Sequence, residues 1–187
     1  MPSTQTSYLP LVVFDRYSLL LLLWLNSSMP LTTEFDVVRD LRSAARSAPT
    51  VNVLMATICH TLAHRLSGYN WVGFYMLDPR DANMLVLGPF VGAATPHTRI
   101  PLNQGVCGAA VSEGQTIVVD DVHADPRYLS CSIDTKSEIV APVRVNGKIV
   151  GELDIDSHEA ARFKDTDREL VERCAEIVGK YLEQKQG

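Results

Sequence analysis

Four cysteines, at 59, 107, 131 and 174, have the widest chemical range in this chain, since a thiolate can attack, be oxidised or ligate a metal. No C-x-x-C pair occurs and no cysteines and histidines fall at tight ligand spacing, so neither a zinc site nor a dense disulfide framework is expected. Cys59 and Cys174 sit on the apolar faces of expected helices, where a thiol acts as a small hydrophobe. Cys107, in "HTRIPLNQGVCGAAVSEG", and Cys131, in "VHADPRYLSCSIDTKS", fall in or beside loops between strands. There, backbone amides or a helix N-terminus can stabilise a thiolate and a substrate can approach. Spacing alone leaves core filling and reactivity both open for these two.

Carboxylates form the second group. In "KIVGELDID", period-two alternation places Glu152, Asp154 and Asp156 on one strand face, with Ile149, Gly151, Leu153 and Ile155 on the other. Such a row is either a solvated acidic face or a site. As a site it would hold an ammonium group, or its members would repel one another until one keeps its proton and can donate it. Trp71 and Tyr75, in "NWVGFYMLD", share a face with Gly73 between them. They are either a packed core pair or two walls of a small pocket over Gly73.

These residues need a scaffold, and the pattern predicts one. Phe35, Val38, Leu41 and Ala45 recur at helical spacing from Thr32 to Arg46, and Pro49 closes the segment. Val51, Leu54, Met55, Ile58, Leu62 and Leu66 trace a second helix ended by Gly68. "NWVGFYMLD" and "NMLVLGPFVG" read as an antiparallel pair around the turn-rich "DPRDAN", and Gly105 and Gly114 bound a short helix containing Cys107. A strand at "QTIVVDD" leads to the Cys131 loop, after which "EIVAPVRV" and "KIVGELDID" flank Asn146-Gly147, a strong hairpin signal. Thr166 and Glu169 have capping-box spacing at the start of a last helix. Antiparallel strands with helices at both ends of the chain predict an α+β fold, one sheet against helices.

Bulk properties exclude several classes. The 187 residues suit one domain, 46% are hydrophobic and 21% charged, and the net charge is −5. No basic stripe could neutralise a phosphate backbone, so nucleic acid is not an expected partner. "YSLLLLLWLN" is apolar over about nine residues, short of the roughly 20 that a membrane helix needs. Only Arg16 precedes it, beside Asp15, so the positive start of a secretory signal is missing. Residues 1–28 therefore read as an extension outside a single domain at 29–187, with a signal-like or membrane-associating segment as the alternative. Reduced thiols in a cytoplasmic setting are expected.

Six motifs, "NWVGFY", "LVLGPF", "TRIPLNQGVCG", "DVHADP", "SEIVAPV" and "DID", occur in order between Tyr69 and about Phe163. Together they resemble the free methionine-(R)-sulfoxide reductases, single GAF-type domains that reduce the sulfoxide of the free amino acid. The resemblance implies a GAF-like fold: a central antiparallel sheet with N- and C-terminal helices on one face and a loop-covered pocket on the other. It also implies that Cys107 and Cys131 are two of three redox cysteines, that Glu138, Asp154 and Asp156 hold substrate, and that Trp71 and Tyr75 wall the pocket. Three departures stand out. His97, ten residues before Cys107, occupies the place of the family's first cysteine; Ser132 follows Cys131 where aspartate is common; and Glu152 replaces an aliphatic residue. A disulfide between the first and third cysteines therefore cannot form.

The implied chemistry is attack on the sulfoxide sulfur by a thiolate, Cys131 foremost, with a protonated carboxyl assisting the oxygen. Cys107 would then close a disulfide with the resulting sulfenic acid, and a thioredoxin-like dithiol would reduce it, with no metal or organic cofactor. A non-catalytic GAF domain sensing a small ligand is the rival reading, and a homodimer through the terminal helices fits either. One conflict remains within the pattern. An ideal two-residue hairpin at Asn146-Gly147 pairs Ile139 with Asp154, which turns Glu138 to the face opposite Asp154. Either a bulge near Pro142 shifts the alternation or Glu138 lies beyond the paired region.

Overall fold

In a computed structural model, residues 34–129 and 132–186 are described. The expected extension at 1–28, and the boundary at Met29, lie outside them. The two periodicities emerge as helices α1 (Glu34–Ser47), α2 (Val51–Arg65), α3 (Gly105–Glu113) and α4 (Asp165–Gln186). The strands are β1 (Trp71–Asp78), β2 (Asp81–Val91), β3 (Arg99–Pro101), β4 (Ile117–Val119), β5 (Ser137–Val145) and β6 (Lys148–Ser157). They form one antiparallel sheet in the order β3-β2-β1-β6-β5-β4.

One sheet face carries the core. Val72 and Phe74 of β1, Ile139, Ala141 and Val143 of β5, and Leu153 and Ile155 of β6 pack against Val37 and Leu41 of α1, Leu54 and Ile58 of α2, and Leu170, Val171 and Val178 of α4. Each large side chain removed from water there contributes about 1.5–3 kcal/mol. Cys59 and Cys174 lie in this layer without exposure, as their helix positions predict. Burial pushes both thiols up to about 12, so neither forms a thiolate near neutral pH.

Helix ends follow from local chemistry, with one correction. Thr50 caps α2 by accepting from the Val53 N–H at 3.3 Å, and Gly114 closes α3 in the left-handed region at φ 67°. At α4 the expected Thr166–Glu169 box does not do the capping. The Lys164 N–H donates to Asp167 Oδ2 at 2.9 Å while the Lys164 carbonyl accepts from Arg168. Asp167 is drawn to this place because it also accepts from the Tyr69 hydroxyl at 2.9 Å and pairs with Arg162 at 3.0 Å.

The β5–β6 hairpin resolves the conflict over Glu138. Asn146 and Gly147 take positive φ as a two-residue turn requires, and Val145 pairs with Lys148 and Arg144 with Ile149. The register then slips, and Val143 faces Gly151. Val150 is the extra residue of a bulge, one step from Pro142. Beyond it Glu138 pairs with Asp156 and Val140 with Asp154, so Glu138 shares the acidic face. The same slip corrects Ile149: it packs with Val140 and Ile117 on the acidic side, and Val150 joins the helix-side core. Gly151 makes the bend possible, because a Cβ there would run into the Tyr75 carbonyl oxygen of the neighbouring strand.

Where α4 crosses β5, a Cβ on Gly179 would collide with the Arg144 carbonyl oxygen. Gly179→Ala should therefore lower stability by about 1–3 kcal/mol, seen as a lower urea midpoint with the native far-UV spectrum retained.

Candidate active site

The second sheet face is built from alternate residues of three adjacent strands. β1 and β6 pair Trp71 with Asp156, Gly73 with Asp154 and Tyr75 with Glu152, and the bulged hairpin adds Glu138 beside Asp156. Four carboxyls thus converge on one patch, with residue exposures of 5% for Glu138, 0% for Glu152, 2% for Asp154 and 4% for Asp156. Helix α3 closes over this face through Val106, Ala110 and Val111, which pack with Ile100, Val122 and Val140. Gly108 lets the helix pack against the backbone at the end of β3, since a Cβ there would lie 2.8 Å from the Leu102 carbonyl oxygen. Cys107, in the first turn of α3, is brought with its Sγ 3.6 Å from Asp154 Oδ2 and 3.8 Å from Glu138 Oε1.

Electrostatics follow from burial. It pushes the Glu138, Glu152 and Asp154 carboxyls well above the usual carboxylate range, and repulsion among them adds to the rise. Asp156 is held up at about 7 by burial. None of the ion pairs among the described residues involves these four. Both oxygens of Glu152, and Oδ1 of Asp154, lack a hydrogen-bond partner among the described residues. The Cys107 thiol lies close enough to offset part of the rise at Glu152, although no well-formed hydrogen bond joins the two. Carboxyls raised in this way are suited to give a proton to an oxygen atom or to exchange it for a cation.

At the edge of the patch the Trp71 ring stacks between Tyr75 and Phe90, with centroids 6.2 and 5.6 Å away. Its Nε1 donates to the Ala93 carbonyl at 3.0 Å, and the Tyr75 hydroxyl donates to the His97 carbonyl at 2.8 Å. The space over Gly73 is therefore not an open pocket: the Trp71 ring lies across it, where any Cβ would clash. A cavity of about 100 Å³ opens instead beside Trp71 and Asp156, with Thr95, Ser132, Thr135 and His158 along its wall. A larger one, about 1020 Å³, lies outside α3 along Leu102, Gln104 and Arg127 and contains none of the four carboxyls. Chemistry, not volume, singles out the smaller.

Of the residues expected from the sequence, Cys107, Glu138, Asp154 and Asp156 come together, and Trp71 and Tyr75 stand beside them. Cys131 lies outside the described residues. Glu152 was not among the expected substrate-holding residues, yet it is the most deeply buried carboxyl of the cluster. Its alternation with Asp154 and Asp156 was the available signal.

The match to known proteins is consistent over most of the chain. Residues 50–182 match the GAF domain model. The free methionine-R-sulfoxide reductase of Escherichia coli (strain K12) is 38% identical over 152 residues, which span 80% of this chain and 90% of that protein. This chain belongs to the GAF domain family and, within it, to the free methionine-R-sulfoxide reductases. The solved structure of the Neisseria meningitidis free methionine-R-sulfoxide reductase in complex with its substrate superposes with a TM-score of 0.77 at 34% identity, covering 87% of this chain and 96% of that one. Protein YtsP of Bacillus subtilis (strain 168) is 45% identical over 123 residues, 66% of this chain and 74% of that protein. In the present chain an acidic floor lies under α3, and the His97 carbonyl accepts from the Tyr75 hydroxyl.

The raised carboxyls tie this reductase's stability to pH. Asp156 keeps its proton up to about 7 in the folded chain, against 3.8 as its ordinary value. Between those values the folded state binds a proton that the unfolded chain has lost, so stability falls as pH rises, by about 1.4 kcal/mol per pH unit for each such group. Urea unfolding without substrate should thus show lower stability at pH 7 than at pH 5. Glu152→Gln should make that dependence shallower.

Proposed function

We propose that this chain reduces free methionine-(R)-sulfoxide to methionine through Cys131 and Cys107. The observation that carries the reading is the patch of four buried carboxyls, all raised above the usual carboxylate range, beside the Cys107 thiol in a member of this reductase family. A sensor domain that only binds a ligand needs no thiol beside protonated acids. Redox thiol chemistry uses both.

In the proposed reaction the Cys131 thiolate attacks the sulfoxide sulfur while Asp154, Asp156 or Glu138 donates a hydrogen bond or proton to the oxygen. Oxygen passes to the cysteine sulfur, methionine leaves, and Cys131 is a sulfenic acid. The Cys107 thiol then attacks that sulfur: the S–S bond forms, the S–O bond breaks, and water departs with the thiol proton. Two electrons have gone from two thiols to one sulfoxide, and an external dithiol of the thioredoxin class restores them. Support for Cys131 comes from its neighbour Ser132, which lines the cavity at Trp71 and Asp156 and whose carbonyl accepts from the Tyr128 hydroxyl at 3.2 Å. Asp156, held up at about 7, is the member of the patch that gives up its proton to bind the α-ammonium group of the free amino acid. A peptide-bound residue offers only a neutral amide there.

Two outcomes test the assignment. The R epimer of the free sulfoxide should be consumed with thioredoxin and NADPH, and N-acetylation should lower kcat/KM at least tenfold, about 1.4 kcal/mol. Comparable rates on both substrates would remove the ammonium site. Without reductant, one turnover should leave a Cys107–Cys131 disulfide visible by mass spectrometry of non-reduced peptides, which requires Cα atoms within about 7 Å. Cys131→Ser should abolish reduction, whereas Cys107→Ser should release about one equivalent of methionine and stop at the sulfenic acid.

A further inference from the structure

Beside the Cys107 thiol, Asp154 Oδ1 is buried without a hydrogen-bond partner among the described residues. We infer that Cys107, Glu138 and Asp154 form a binding site for a thiophilic divalent cation, Zn²⁺, that the cation and the substrate occupy in turn.

The spacing fits the ion. With Zn–S near 2.3 Å and Zn–O near 2.1 Å, a tetrahedral angle sets ligand sulfur and oxygen about 3.6 Å apart. Cys107 Sγ lies 3.6 Å from Asp154 Oδ2 and 3.8 Å from Glu138 Oε1, and one donor atom from each of the three lies within 4.8 Å of the others. A cation at their centre would take all three donors, and the unpartnered Asp154 Oδ1 supplies a further oxygen ligand. The sulfur selects the ion. Ca²⁺ and Mg²⁺ take oxygen ligands and more of them, whereas thiolate with carboxylate suits Zn²⁺.

Binding converts Cys107–SH and Zn²⁺ into a Cys107–S–Zn²⁺ bond and a released proton, with no change of oxidation state. The bound ion withholds Cys107 from disulfide formation and takes the carboxyls that the substrate needs. Inhibition thus rests on the proposed reductase activity, while binding does not.

The test uses the full chain, reduced, freed of reductant and metal, and kept under argon, with Co²⁺ as the spectroscopic probe. One equivalent should bring up a thiolate-to-cobalt charge-transfer band and the intense visible bands of a tetrahedral ion, and Zn²⁺ should bleach both. Cys107→Ser should abolish the charge-transfer band. Glu138→Gln, checked for native circular dichroism, should weaken Co²⁺ binding at least about tenfold. Free methionine added to the unmodified chain should lower the apparent Co²⁺ affinity, and Zn²⁺ should inhibit sulfoxide reduction in a way that more substrate relieves. Absence of the charge-transfer band in the reduced chain, its survival in Cys107→Ser, or simultaneous binding of methionine and Co²⁺ without mutual effect would each overturn the site. Cation binding by a chain that reduces no sulfoxide would instead leave the site standing and remove the reductase reading.

Discussion

Burying four carboxyls on one sheet face beside a thiol is the costly act on which the rest of this structure depends. An ionised carboxylate moved out of water without a partner loses several kcal/mol, so each group either keeps its proton or waits for a ligand. Burial and mutual repulsion push Glu138, Glu152 and Asp154 well above the usual carboxylate range, and burial holds Asp156 at about 7. The opposite sheet face must supply the compensating stability. It does so with three helices and an almost wholly aliphatic layer from Val37 to Tyr181.

A contrast inside the molecule separates structural from chemical use of a buried acid. Asp167 is also buried, but it accepts from Tyr69, from Arg162 and from the Lys164 N–H, and so fixes the start of α4 against the beginning of β1. Each of its lone pairs has an answer. Glu152 and Asp154, at similar depth, have oxygens without one among the described residues. Satisfied polar groups hold a fold together, and unsatisfied ones mark where something else is meant to bind.

Geometry on the acidic side is set by very few backbone decisions. The bulge at Val150 turns Glu138 toward Asp156, and Gly108 lets α3 pack against the Pro101–Leu102 backbone, with Cys107 in its first turn beside the carboxyls. Removing either would move a functional group by a whole strand face or by the width of a side chain.

Much of this was legible in the sequence. Period-two alternation in "GELDID" and "NWVGFY" assigned the acidic and aromatic residues to their faces, helical periodicity placed Cys59 and Cys174 in the core, and Asn146-Gly147 marked the turn. These are local properties, decided by neighbours one to four residues away. The resemblance to the reductases rests on the same short motifs. What only the tertiary structure decided was long-range: that Glu138 joins Asp156, that Ile149 changes sides, that Trp71 covers Gly73, and that Glu152 belongs to the cluster around Cys107. A one-residue register slip and the seating of a short helix cost little locally and leave no periodic trace. Their outcome depends on which packing buries the aliphatic layer best, and that sum runs over the whole fold.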